Sequence, residues 1–229
     1  MSNQLKSSEE SQIRILLLGQ TESGKEFVRE AIQTQFDEGS ERCPEPEWDL
    51  KTGTVMSGPV FLGKPVEVTI LNYRCLHYSN KEKTLNVKKT IKEDMELIKP
   101  GPHVIIWVSK ETNDKDFNKE YKLLGAFSEG FKTANRHILF VFLKDEKVKM
   151  SVDPAQKVAW EHKTCKELGE TLLKDVAEKR DNGGHLHMDL LKYRLDDFIN
   201  ELGKNPGISM FNKLADECFS MVKKILLKE

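Results

Sequence analysis

The sequence predicts a three-layer α/β fold with a mostly parallel sheet of about six strands, one edge of it an antiparallel hairpin. Three observations carry this. Short, nearly all-apolar runs (Ile13 to Leu18, Val104 to Val108, Ile138 to Leu143) alternate with longer charged, amphipathic stretches, the pattern of a parallel sheet covered by helices on both faces. Val55 to Leu62 and Val66 to Leu71 flank Gly63-Lys64 and read as a tight hairpin. Gly19-Gln20-Thr21-Glu22-Ser23-Gly24-Lys25 matches the phosphate-loop spacing G-x-x-x-x-G-K between a hydrophobic strand and a helix, the setting that motif requires.

In chain order, Met1 to Ser11 is polar and flexible in composition, and Ile13 to Leu18 is the first strand. A helix is expected from about Glu26 to Gln35, then a long exposed loop from Phe36 to Thr52 that lacks any periodicity. After the hairpin, Val87 to Ile98 has helical spacing and stops at Pro100-Gly101-Pro102. Phe117, Tyr121, Leu124, Phe127 and Phe131 recur along one helix face. Asp153-Pro154 reads as an N-cap with proline at the first helical position, opening a helix to about Arg180. His185 to Met188 is a candidate short last strand, and Leu190 to Leu202 a helix. Ile208, Phe211, Ala215, Cys218, Val222 and Ile225 then give a last amphipathic helix. The organisation is thus a tail (1–11), one domain (12–204) and a C-terminal helix (205–229).

Composition excludes several classes. A length of 229 residues suits one domain with an appendage. A formal net charge of −1 supplies no field to attract nucleic acid or acidic lipid. Cys43, Cys75, Cys165 and Cys218 are scattered without paired spacing, a poor framework for metal or disulfides that fits a reducing compartment. No apolar run approaches the ~20 residues of a membrane helix. The expectation is a cytoplasmic protein, peripheral on membranes at most.

The phosphate loop carries the chemistry. Glycines let backbone N–H groups converge on phosphate oxygens, the following helix adds its dipole, and Lys25 supplies a cation. At the next position, where a Ser or Thr hydroxyl holds Mg²⁺, stands Glu26. A carboxylate beside phosphates meets like charge, at ~4 Å and an effective dielectric of ~20 a cost of a few kcal/mol. The loop residues Gly19 to Glu26 are expected to bind phosphate, with the residues speaking against ordinary Mg²⁺-nucleotide chemistry.

Arg14 to Lys25, together with Leu97 to Val108 and its Pro100-Gly101-Pro102-His103 box, resembles the GTPases of immunity-associated proteins (GIMAP family), whose domain is a septin-related G domain. The likeness extends through about Leu202. It implies a phosphate-loop G-domain fold, GTP or GDP as ligand, association with like or other G domains, intracellular membranes, and immune-cell or stress roles. Where the family has Asp-Thr-Pro-Gly after its third strand, this chain has Asn72-Tyr73-Arg74-Cys75. Where the family reads guanine with Thr-Lys/Arg-x-Asp, this chain has Leu143-Lys144-Asp145-Glu146. Lys144 keeps the length to lie along a purine, and Glu146 carries the right charge for the guanine edge on a side chain one methylene longer. The aromatic-Asn-Asn run is replaced by His185 to Asp189, and either Thr52 or Thr54 aligns with the switch threonine. Phosphoryl transfer rests on Mg²⁺ and a positioned water. The expectation is therefore a switch or scaffold protein with hydrolysis weak or absent. A slow GTPase and a nucleotide-free interaction protein are the alternatives.

Other signals read as structural. His185 and His187 have no third ligand at metal spacing. Cys75 has no sequence feature that activates it. Ser23 has no His–Asp partner, and no arginine-rich lid supports a nucleotide kinase.

Overall fold

The computed structural model describes residues 12–19, 22–36, 53–61, 64–72, 98–110, 124–153 and 156–204. The strands are β1 (Gln12–Leu18), β2 (Gly53–Phe61), β3 (Lys64–Asn72), β4 (Val104–Lys110), β5 (Ile138–Lys144), β6 (Lys147–Ser151) and β7 (Glu161–His162). The helices are α1 (Glu22–Gln33), α2 (124–130), α3 (Cys165–Gly183) and α4 (Met188–Gly203), with a 3₁₀ segment at Lys132–His137.

One sheet holds all seven strands in the order β2-β3-β1-β4-β5-β6-β7. Its centre, β3-β1-β4-β5, is parallel, with Ile15 opposite both Ile70 and Val104, and Trp107 opposite Phe140. Both edges are antiparallel: β2 pairs β3, and β5, β6 and β7 form a meander. The expected β2–β3 hairpin is present. Among the described residues, the expectation of six strands with one antiparallel edge is corrected to seven strands with two.

The period of two along the central strands sorts their side chains into two cores. Ile13, Ile15 and Leu17 of β1, Val104, Ile106 and Val108 of β4, and Leu139, Val141 and Leu143 of β5 pack with Val28, Ala31 and Ile32 of α1 and Leu168, Leu172 and Val176 of α3. The alternate residues, Leu16 and Leu18, Ile105 and Trp107, Ile138 and Phe140, meet Leu124, Phe127, Phe131, Leu191 and Phe198 on the α2 and α4 side. Helices therefore cover both faces. The second core is aromatic: Phe127 lies 4.6 Å from Trp107, 4.5 Å from Phe131 and 5.5 Å from Phe198, ring centre to ring centre.

Four boundaries differ from expectation. α1 starts at Glu22, inside the phosphate-loop motif, so Gly24 and Lys25 lie in its first turn. Phe36, expected to open an exposed loop, is buried against the α1 core. The long helix begins at Cys165 rather than at Asp153-Pro154. Thr164 caps it through a reciprocal capping box, its Oγ1 accepting the Glu167 N–H while Glu167 Oε2 accepts the Thr164 N–H. That arrangement satisfies two helix-end donors at once, which an Asp-Pro start offers only by halves. Ser151 Oγ instead donates to the Asp153 carbonyl at 2.6 Å. His185–His187 form no strand but a connector into α4, whose extent otherwise follows expectation. The helix expected over Val87 to Ile98, Phe117 and Tyr121, the loop from 37 to 52 and the last helix lie outside the described residues, apart from Ile98, which is buried.

Candidate functional site

The candidate site sits where β1 ends. The chain runs from β1 out to β2 and β3 on one side, then crosses to β4 on the other, so β1 and β4 flank the point where strand order reverses. In open α/β sheets the crevice at the carboxyl ends of such strands is where ligands lie. Gly19 follows β1 directly with φ at 141°, and a Cβ there would run into the Val108 carbonyl oxygen of β4. Only glycine lets the loop leave the strand so close to its neighbour.

Gln20 and Thr21 lie outside the described residues, as do the side chains of Glu22 and Ser23. Their backbone at 22 and 23 is helical, and with Gly24 and Lys25 it makes up the first turn of α1. The N–H groups of a first turn have no partner within the helix and carry the positive end of its dipole. Gly24 is buried. Lys25 is fully buried and engaged with other groups of the fold, as a buried ammonium must be to offset its lost hydration.

Glu26 turns along the helix rather than toward its start. Its Oε2 accepts a hydrogen bond from Arg29 Nη2 at 2.9 Å, in an ion pair whose side chains are 20% and 15% exposed. Arg29 Nη1 also reaches Gln33 Oε1 at 3.4 Å. Glu26 as a Mg²⁺ ligand therefore fits poorly: its carboxylate is already bound to a guanidinium. Asn72 ends β3. Arg29 was not singled out in the sequence. The signal was the i, i+3 spacing of Glu26 and Arg29, which pairs opposite charges on one helix face.

The guanine-reading candidates come to the same end of the sheet and no closer. Leu143 of β5 pairs with Lys110 of β4, so Lys144 lies at the carboxyl end, two strands from β1, roughly 10 Å at normal strand spacing. Lys144 pairs with Lys147, and Asp145-Glu146 is the two-residue turn between β5 and β6, with Asp145 at φ 50°. Such turns need left-handed backbone, which aspartate tolerates. Lys144, Asp145 and Glu146 are all exposed. Thr54 lies in β2 opposite Ile70, and Thr52 is outside the described residues.

His185 to Asp189 lie at the opposite end of the sheet. The Leu186 N–H donates to the Pro102 carbonyl at 2.7 Å and the Met188 N–H to the Pro100 carbonyl at 3.2 Å, ahead of the start of β4. The peptide before Pro100 is cis. Gly101, at φ 153°, would drive any Cβ into the Leu186 carbonyl, and its own carbonyl accepts from Arg14 Nε at 2.8 Å. His103 is the hub. Its Nδ1 accepts the Arg14 backbone N–H at 2.9 Å, its Nε2 lies 3.2 Å from Arg14 Nη2, and its carbonyl lies 3.1 Å from His137 Nδ1. Burial, and then the Arg14 guanidinium, hold His103 down to a pKa of about 3; His185, Arg180 and His137 push the same way. Burial also lowers His137. The Pro-Gly-Pro-His box thus joins β1, β4 and the α3–α4 connector, at the end of the sheet opposite Gly19.

Among the described residues no group of three or more His, Cys, Asp or Glu is placed to hold a metal ion, and no helix is long and apolar enough to cross a membrane. The chain matches no family model, and none of the curated proteins matches it.

Proposed function

We propose that this is a GIMAP-like guanine-nucleotide-binding protein, a phosphate-loop G domain that acts as a switch or scaffold with hydrolysis weak or absent. The observation that carries the reading is the junction of β1 and α1: a glycine that only glycine can satisfy, at the reversal of strand order, followed within one turn by Gly24 and the buried Lys25. First-turn N–H groups together with an ammonium suit a di- or triphosphate. Bound phosphate would compete with the present partners of Lys25 for its ammonium.

A second reading, an interaction protein without nucleotide, draws on the β5–β6 turn. A base held by Lys144 and Glu146 has little to bury it, because both are exposed in a two-residue turn. Titrating the full chain with GTP, GDP and ATP, each with Mg²⁺ and with EDTA, separates the two. Binding of GTP or GDP but not ATP, abolished by Lys25→Ala, supports the first reading. No binding at millimolar ligand leaves the second. Association with like or other G domains belongs to either, and sedimentation with and without GTP tests it.

A further inference from the structure

We infer that the groove between the end of α3 and the end of β6 binds a small zwitterion of dipeptide size, its ammonium on Asp175 and its carboxylate on Arg136. The inference goes beyond the nucleotide reading and does not rest on it. Arg136 precedes β5 and Val152 follows β6, so the groove lies at the amino-terminal end of the parallel strands, and Gly19 at their carboxyl end. Beside the last turns of α3 a cavity of about 330 Å³ opens, with Leu139 and Val152 as its apolar lining. Val152 leaves half its surface exposed, area that a ligand would cover. Asp175 stands one turn before Lys179, the spacing at which opposite charges pair. Lys179 Nζ instead donates to the Arg136 carbonyl at 3.2 Å. Arg136 Nε donates to His137 Nε2 at 3.1 Å, which fixes the guanidinium. Among the described residues, the Asp175 carboxylate and the two Nη groups of Arg136 have no hydrogen-bond partner. Burial, and then Glu178, push the Asp175 carboxyl above its ordinary value, as befits a carboxylate without a donor of its own. A guanidinium fork suits a carboxylate, and a lone carboxylate suits an ammonium. Arg136 lies against Gly183, its Cδ 3.6 Å from where a Cβ there would be. Asp175 and Gly183 are separated along α3 by about 12 Å at ~1.5 Å per residue. A hydrogen bond of about 2.9 Å at each end leaves roughly 6 Å. Two extended residues at ~3.3 Å each span that, and a single amino acid falls short.

The test is an amide NMR titration of the full chain with leucyl-alanine, its N-acetyl and amide derivatives, and free leucine. At the ligand efficiency of drug-sized molecules, the roughly 14 non-hydrogen atoms of leucyl-alanine give a Kd of about 1 mM. Shifts are expected at Asn182 and Gly183, which line the groove. Blocking either terminus removes one charged hydrogen bond and is expected to weaken binding about tenfold, and leucine is expected to bind at least as weakly. Asp175→Asn is expected to bind the free and the N-acetylated dipeptide alike, and Arg136→Gln the free and the amidated one alike. Each variant is expected to bind leucyl-alanine about tenfold more weakly than the wild type does. The blocked dipeptides test the wild type directly, so a variant that fails to fold leaves the test standing. No binding of leucyl-alanine by the wild type at about 10 mM overturns the inference, and so does binding that ignores both blocking groups. Binding that survives both substitutions unchanged also overturns it, because the zwitterion then lies elsewhere. None of these outcomes bears on nucleotide binding, which the GTP titration reads separately.

Discussion

Acid should unfold this protein through His103. The imidazole is 4% exposed, its Nδ1 is committed to the Arg14 backbone N–H, and the groups facing it (Arg14 on β1, His137 before β5, Arg180 on α3 and His185 on the connector) are guanidinium cations or histidines. A second ring proton would break the Nδ1 bond and sit beside a guanidinium. The neutral form is favoured in the fold, with a pKa of about 3 against 6.5 for the unfolded chain. The unfolded state therefore takes up the proton first as pH falls. Stability is fully present above about pH 6.5, declines below it, and stops declining only near pH 3. At about pH 4.5, two units below the unfolded value, the loss from this one group is roughly 2.8 kcal/mol at about 1.4 kcal/mol per unit. That is a large fraction of the ~5–15 kcal/mol that holds a typical domain together. Urea unfolding at pH 7 and pH 4.5 measures it, with His103→Gln as the comparison. Glutamine Oε1 can accept the Arg14 N–H and does not titrate. The variant is expected to lose stability at pH 7 but to keep most of the remainder at pH 4.5, the residual slope coming from His137, whose pKa burial lowers in the same sense. Equal acid losses in both proteins would refute the assignment.

Three further outcomes test the packing. Gly19→Ala forces a Cβ onto the Val108 carbonyl at φ 141° and is expected to cost at least ~2 kcal/mol, read by thermal melting, and to abolish nucleotide binding. Phe127→Ala empties the centre of the aromatic core, where Trp107, Phe131, Phe140 and Phe198 converge, and is expected to cost ~3–5 kcal/mol in urea unfolding. Thr164→Ala removes the capping box of α3 and is expected to cost ~1 kcal/mol, with faster amide exchange confined to the first turn of that helix.

The sequence by itself determined the layered α/β arrangement, because continuous apolar runs, a hairpin and helical stripes are local patterns set by residues a few positions apart. β1, β4 and β5 fall where those runs fall, and the strand–loop–helix setting of Gly19 to Lys25 was legible for the same reason. α1 beginning at Glu22 rather than Glu26 was not, since glutamate and serine in a first turn look like loop residues until the backbone is seen. The β5–β6 turn escaped because Asp145-Glu146 lacks the glycine that usually marks a tight hairpin. Only the tertiary structure decided that the connector after α3 lies at the amino-terminal end of β4, at the end of the sheet opposite Gly19. Its location is fixed by backbone bonds to Pro100 and Pro102, more than eighty residues earlier in the chain. Only it showed His103 buried among cations and Glu26 held by Arg29. Charge state and hydrogen bonding depend on what surrounds a group in space, and for His103 those surroundings come from β1, the segment before β5, α3 and the connector after it, which no local pattern joins.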